Sequence, residues 1–285
     1  MTDSIGLNLN SRLLLLIISL AFISVLLFEQ GQVGSINVIC FIFIVILGLP
    51  HGAIDPWLYD KTMFSRPKAM LLFVWCYISA ALMMLVIWYF LPLLALIVFF
   101  SLSALHFGRD WQNSQDNQLA ERLSAGIMVI AWPFLMQTEK TLIIINYLGV
   151  NNTSELFLSA LLLMILSVSI LIFSCQFLML FKLLLLGGMS WLVSPFIYFC
   201  LYFCLLHSVL HYRHHFDIIT LAFQKNRVFL ILLLTFTYLF TGIMLMLTNH
   251  YAKLDTAIYQ TVFWILSALT VPHMFLVERQ FARAQ

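Results

Sequence analysis

Long apolar runs separated by short polar breaks set the pattern of this chain, and the runs repeatedly reach the ~20 residues that cross a bilayer. They predict helices over roughly 12–28, 36–57, 69–90, 92–108, 121–137, 155–181, 184–212, 228–248 and 258–278. A further apolar run, Thr141 to Val150, is too short to span. The run from Leu13 to Phe28 follows a lone Arg12 and lacks a small-residue cleavage site, so it reads as a retained helix rather than a removed signal. No tandem repeat stands out, and no loop is long enough to form a second domain. The expected fold is therefore all-α: a polytopic transmembrane helical bundle of about 8–10 spans, with a re-entrant hairpin near 121–150. One integral-membrane domain would cover 1–285, with 1–11 a short cytoplasmic segment and 279–285 a short cytoplasmic tail.

Charge placement bears on orientation. If 141–150 returns across the membrane or re-enters with 121–137, one face collects Arg12, Lys61, Arg66, Lys68, Arg109, Arg122, Arg213, Lys225, Arg227, Arg279 and Arg283. The other face keeps Lys140, Lys182 and Lys253, a split of eleven against three; a single crossing by 121–137 makes it eight against six. The positive-inside rule favours the first arrangement, with both termini cytoplasmic in the cell inner (plasma) membrane. It also carries His51, His106, His207, His211 and His273 toward the cytoplasmic ends of their helices.

Composition supports the same class. Of 285 residues, 63% are hydrophobic and 9% charged, too little charge to cover a soluble domain. The mean hydropathy is +1.02. A net charge of +2, with no basic tail, implies no nucleic-acid partner. The five cysteines, Cys40, Cys76, Cys175, Cys200 and Cys204, all lie in apolar runs and read as inert buried thiols.

The histidines carry the candidate chemistry, because ionisable groups within spans are costly and mark function by default. His51 sits in Gly48-Leu49-Pro50-His51-Gly52-Ala53-Ile54-Asp55, where Pro50 should kink or restart the helix and the glycines allow close helix approach. His106 ends another apolar run, followed by Phe107, Gly108, Arg109 and Asp110. His207 and His211 are four apart, which places both imidazoles on one helical face within reach of one ion. His273 follows Pro272 in the last span and is read as supporting the site or touching substrate. Histidines near helix ends are ordinarily interfacial groups, and His214, His215 and His250 are read that way. Asp55 and Asp110 each follow a histidine by four; on a continuous helix each would accept that histidine's second ring N–H, fixing its tautomer. The alternative for each, of equal weight, is a helix cap or an interfacial charge.

Four imidazoles suit Zn, Cu, Fe or Ni, so ligand type alone does not choose the metal. No Glu accompanies the His207/His211 pair in the zinc-protease pattern, and a serine nucleophile elbow, a phosphate loop and a dinucleotide fingerprint are missing. A redox-active iron with open positions for dioxygen is the most productive reading, with the substrate entering laterally from lipid.

Pro50-His51-Gly52-Ala53-Ile54-Asp55, His106-Phe107-Gly108 with Asp110, His207-Ser208-Val209-Leu210-His211 and Pro272-His273-Met274 resemble, in order and spacing, the bacterial Brp/Blh family of membrane β-carotene 15,15′-dioxygenases. The family usually carries Leu where Ile54 stands. The resemblance implies an enzyme that uses Fe(2+) and O2 to split the central double bond of β-carotene into two all-trans-retinal molecules. It implies iron ligation by His51, His106, His207 and His211, with Asp55, Asp110 and His273 supporting them, substrate drawn from membrane lipid, and a functional link to a retinal-binding rhodopsin. The rivals are a membrane di-iron desaturase or hydroxylase, which needs more histidine boxes than this chain has, and a transporter or metal permease, which should show polar groups at mid-bilayer and inverted repeats. A non-enzymatic retinal-binding protein of rhodopsin type would need a lysine in the last span, which is absent.

Overall fold

The computed structural model describes residues 33–59, 66–112, 118–151 and 153–284; the expected helix 12–28 and the segment 1–11 lie outside them. In chain order the helices are α1 (Val33–Phe43), α2 (Asp55–Tyr59), α3 (Pro67–Phe90), α4 (Pro92–Gly108), α5 (Leu119–Met136), α6 (Thr138–Tyr147), α7 (Thr153–Phe173), α8 (Phe177–Leu192), α9 (Pro195–Leu201), α10 (Ser208–His214), α11 (Phe216–Tyr251) and α12 (Leu254–Ala284). A π-helical turn (Ile44–Gly48) and a 3-10 helix (Leu49–Ile54) join α1 to α2; a 3-10 turn (Arg109–Trp111) follows α4, and a π-helical turn (Tyr202–His207) joins α9 to α10. Among the described residues there is no strand, and eight helical segments are long and apolar enough to cross a membrane. This is a multi-pass membrane protein built from helices. Large apolar side chains such as Leu71, Leu72, Trp75, Tyr89, Phe236 and Met246 are exposed, as lipid contact permits and water does not.

The chain forms two compact units. Among the described residues, one comprises 33–43, 104–112, 118–146, 151 and 153–210. Its centre is α5, which packs on α7 and α8 and buries Ala125, Met128, Val129, Trp132 and Phe134. Small residues let helices meet backbone to backbone: a Cβ on Gly126 would run into the carbonyl of Ala104, and one on Gly108 into the carbonyl of Arg122. Pro133 lies inside α5 and has no N–H for the carbonyl of Val129 four residues back. The Tyr198 hydroxyl supplies the missing donor at 2.8 Å. At the far end of α5, Gln137 donates to the carbonyls of Ser190 and Val193, pinning the end of α8.

The other unit comprises, among the described residues, 44–59, 66–103, 147–150 and 211–284. Its long helix α12 packs on α3 and α11. One apolar cluster joins Ile54, Trp57, Leu58, Ile218, Ala222 and Val277. Elsewhere in this unit the Trp88 indole donates to Ser267, and Thr248 and Thr261 share a hydrogen bond of 2.9 Å.

Several of the expected boundaries change here. The run read as 155–181 is two helices: α7 stops at Phe173, and the chain reverses through Cys175 in the left-handed region, φ 56°. Cys175 N–H donates to Ile172 and Gln176 N–H to Leu171, the paired closure of a helix C-terminus that usually employs glycine. The run read as 184–212 is likewise divided, because α8 ends at Leu192 and α9 begins at Pro195. The run 141–150 does not cross: α6 has ten residues, about 15 Å at 1.5 Å per residue, half the hydrocarbon thickness. The last helix also continues past the expected boundary at 278, through Ala284. Within α11, Asn226 is non-helical (φ −140°, ψ 39°), so the span expected at 228–248 is its second half.

Candidate metal centre

In the first unit the site begins where α4 ends. Its last turn carries His106, buried at 6% exposure, and the buried Arg122 donates from Nε to the Leu105 carbonyl at 2.8 Å. That bond satisfies a carbonyl at a helix end and holds α5 against α4, as the absence of a Cβ at Gly108 permits. His207 closes the π-helical turn after α9 and is 2% exposed. Its ring centroid lies 4.5 Å from that of His106, at an interplanar angle of 71°. Phe203 stacks on His207 at 5.7 Å, and Phe107 meets it edge-on at 4.9 Å.

Asp110 orients His207. The His207 Nδ1 lies 2.9 Å from Asp110 Oδ2 and 3.3 Å from Oδ1. The Tyr202 hydroxyl donates to the same Oδ2 at 2.8 Å, and the Trp111 indole donates to Tyr202 at 3.1 Å. A carboxylate is acceptor-only, so Nδ1 carries the proton and the lone pair of the neutral ring sits on Nε2. The π turn makes this possible: its i→i+5 bonding brings positions five apart, Tyr202 and His207, toward a common side.

The second unit carries a matching set. Asp55, the first residue of α2, is 1% exposed. Its Oδ1 accepts from His273 Nδ1 at 2.7 Å and its Oδ2 from the Tyr77 hydroxyl at 2.7 Å. His211 on α10 lies 5.2 Å, centroid to centroid, from His273 and 4.6 Å from His215. His215 is buried at 8% exposure, against the expectation of an interfacial side chain; burial pushes its imidazole down to about 4, with His214 and His273 adding to the effect. His214 and His250 are exposed, as expected of boundary residues. His51 lies in the 3-10 backbone of Leu49–Ile54, and its side chain is outside the described residues.

Asp110 therefore serves a different histidine from the one expected, while the expected partner of Asp55, the His51 side chain, lies outside the described residues. Asp110 is on His207, not on the residue four before it, and Asp55 is on His273. The physical reason at Asp110 is local. The backbone is 3-10 helical over 109–111, where positions three apart eclipse and positions four apart diverge. Tyr202, Tyr77 and Trp111, which complete the two networks, carry no signal in the sequence beyond being aromatic residues in apolar runs.

Among the described residues no group of three or more His, Cys, Asp and Glu side chains converges to hold a metal; the imidazoles come in pairs within each unit. The donor chemistry of each pair nevertheless suits a divalent ion. Two imidazoles sharing one ion at a metal–nitrogen distance of about 2.1 Å put their ring centroids roughly 4.5–5 Å apart. The 4.5 Å between His106 and His207 falls there. The carboxylate-backed tautomer of His207 is the one that metal-binding histidines adopt. Cys40, Cys200 and Cys204 are buried and Cys76 and Cys175 exposed; all five are free thiols, distant in sequence from the histidine motifs except for Cys204.

Residues 42–279 match the family of β-carotene 15,15′-dioxygenases. A relative named β-carotene 15,15′-dioxygenase, from the uncultured marine bacterium 66A03, is 29% identical over 257 residues, covering 82% of this chain and 90% of the relative. No solved structure matches the chain. The family match takes in every element that carries the two histidine–carboxylate networks, and this chain belongs to the β-carotene 15,15′-dioxygenase family.

Proposed function

We propose that this protein is an iron-dependent dioxygenase that splits the central 15,15′ double bond of β-carotene with O2, one oxygen atom ending on each of two all-trans-retinal molecules. Fe(2+) would be held by His51, His106, His207 and His211. Ferrous iron, when bound, supplies the one-electron chemistry by which dioxygen reacts with an electron-rich double bond. The observation that carries the reading is the buried His207, set beside His106 and locked by Asp110 in the tautomer whose Nε2 can ligate. The protein's part is to fix these rings before the metal arrives, which lowers the ordering cost of binding. The apolar, helical surround keeps water from the reacting bond, and β-carotene, a hydrocarbon, reaches it from membrane lipid. The protein would reside in the inner membrane with cytoplasmic termini, passing retinal to a retinal-binding rhodopsin. Family membership weighs against the permease, and the shortage of histidine boxes against the di-iron enzyme.

Expression in a bacterium that accumulates β-carotene tests this reading. The orange colour should fade as retinal appears in the extract. His51→Ala, His106→Ala, His207→Ala and His211→Ala should each abolish retinal formation at matched expression. Colour loss without retinal would refute the reaction, and two irons per purified chain would restore the di-iron alternative.

A further inference from the structure

We propose that His273 is itself a metal ligand beside His211, held in place by Asp55 and Tyr77 as positioning residues. This deepens the iron-centre reading and rests on it.

The two units repeat one device. In the first, a buried carboxylate takes a tyrosine hydroxyl and a histidine Nδ1: Tyr202, Asp110 and His207. In the second the same three residue types meet through the same atoms: Tyr77, Asp55 and His273. A carboxylate can only accept, so against Asp55 the His273 ring carries its proton on Nδ1. The Nε2 lone pair is left as the ring's ligating face, and the carboxylate raises its basicity.

A purely structural role for the pair explains less. Tying α2 to α12 needs only a neutral hydrogen bond between small polar groups, whereas a carboxyl group at 1% exposure is costly to bury. The ring of His273 also lies 5.2 Å from that of His211, close to the roughly 5 Å expected of two imidazoles on one ion. His215 lies nearer still to His211, at 4.6 Å, so spacing alone does not single out His273. The carboxylate does: Asp55 is hydrogen-bonded to His273. Sequence reasoning placed His273 outside the ligand set because it is a lone histidine after a proline, with no second histidine at helical spacing.

The test uses the full-length chain purified in detergent. Iron is measured per chain by elemental analysis, Fe(II) affinity by competition with a chelator, and the absorption spectrum after Co(II) loading. His207→Ala is the reference for loss of a ligand. The inference expects His273→Ala to weaken Fe(II) binding more than tenfold, to change the Co(II) spectrum and to regain metal when imidazole is added. Asp55→Asn should weaken binding about 10–100-fold without removing a ligand. If His273→Ala aggregates, His273→Gln is read instead, since its amide can keep a bond to Asp55. Wild-type affinity and an unchanged Co(II) spectrum in the folded His273 variant, while His207→Ala loses metal, would overturn the inference and leave the iron centre standing. A wild-type chain that binds no Fe(II) sinks the iron reading, and this inference with it.

Discussion

Asp110 is the residue whose replacement separates a designed metal support from an incidental hydrogen bond. Its Oδ2 accepts from Tyr202 at 2.8 Å and from His207 at 2.9 Å. In Asp110→Asn one amide oxygen can still receive both donors, but without charge assistance. A hydrogen bond to a charged group contributes about 1.5–3 kcal/mol and a neutral one about 0.5–1.5, so each bond loses about 1 kcal/mol and the pair about 2. At 1.4 kcal/mol per tenfold, that is roughly a 30-fold loss of metal affinity if His207 must be held to ligate. Asp110→Ala goes further: two buried donors lose their acceptor at about 1–3 kcal/mol each, and folding stability falls along with metal binding. The predicted order is wild type, then Asn, then Ala, both in iron retained on purification and in retinal formed by whole cells. Added Fe(II) should rescue Asn more fully than Ala. Equal iron and equal retinal in all three proteins would refute the argument, because it would mean that His207 ligates without its carboxylate or not at all.

Two further outcomes follow from packing and burial. Gly126→Ala forces a methyl against the Ala104 carbonyl and should destabilise the protein by about 1–3 kcal/mol, whereas Gly188→Ala, with open space around it, should be neutral or stabilising by up to about 1; thermal unfolding in one detergent compares them. His215→Ala removes a buried ring packed on His211 and should cut retinal formation, while His214→Ala, at an exposed position, should not; equal activities would mean that the His211–His215 contact is immaterial.

The fold class was legible because a lipid-facing helix advertises itself: α3 and the second half of α11 carry apolar runs of about 20 residues, and nothing but bilayer-crossing length is needed to see them. The divisions inside 153–214 were not. The turn at Cys175 places a residue with a side chain in backbone space where glycine is the usual mark, so no punctuation appears in the sequence. Pro133 looks like a helix breaker, yet α5 runs through it because Tyr198, 65 positions later, supplies the lost donor. At the site, the His106 and His207 motifs were readable from spacing and setting. The carboxylate partner of His106 was misread because a four-residue interval means one face only on α-helical backbone, and 109–111 is a 3-10 turn. The tyrosines could not be read at all, since hydroxyl pairing is fixed by tertiary approach.

The π-helical turns just before His51 and His207 have a consequence for how such a chain can change. Each contains one residue more than the regular coil requires. A single-residue deletion there would not shorten the protein appreciably; it would return the π turn to regular helix and rotate the side chains within it, while the helices on either side keep their faces. In Tyr202–His207 that rotation would carry His207 away from Asp110 while leaving the flanking helices intact. Loss of one codon at this point should therefore give a well-folded, membrane-inserted protein that has lost its chemistry, a phenotype that substitutions in the surrounding core would rarely produce.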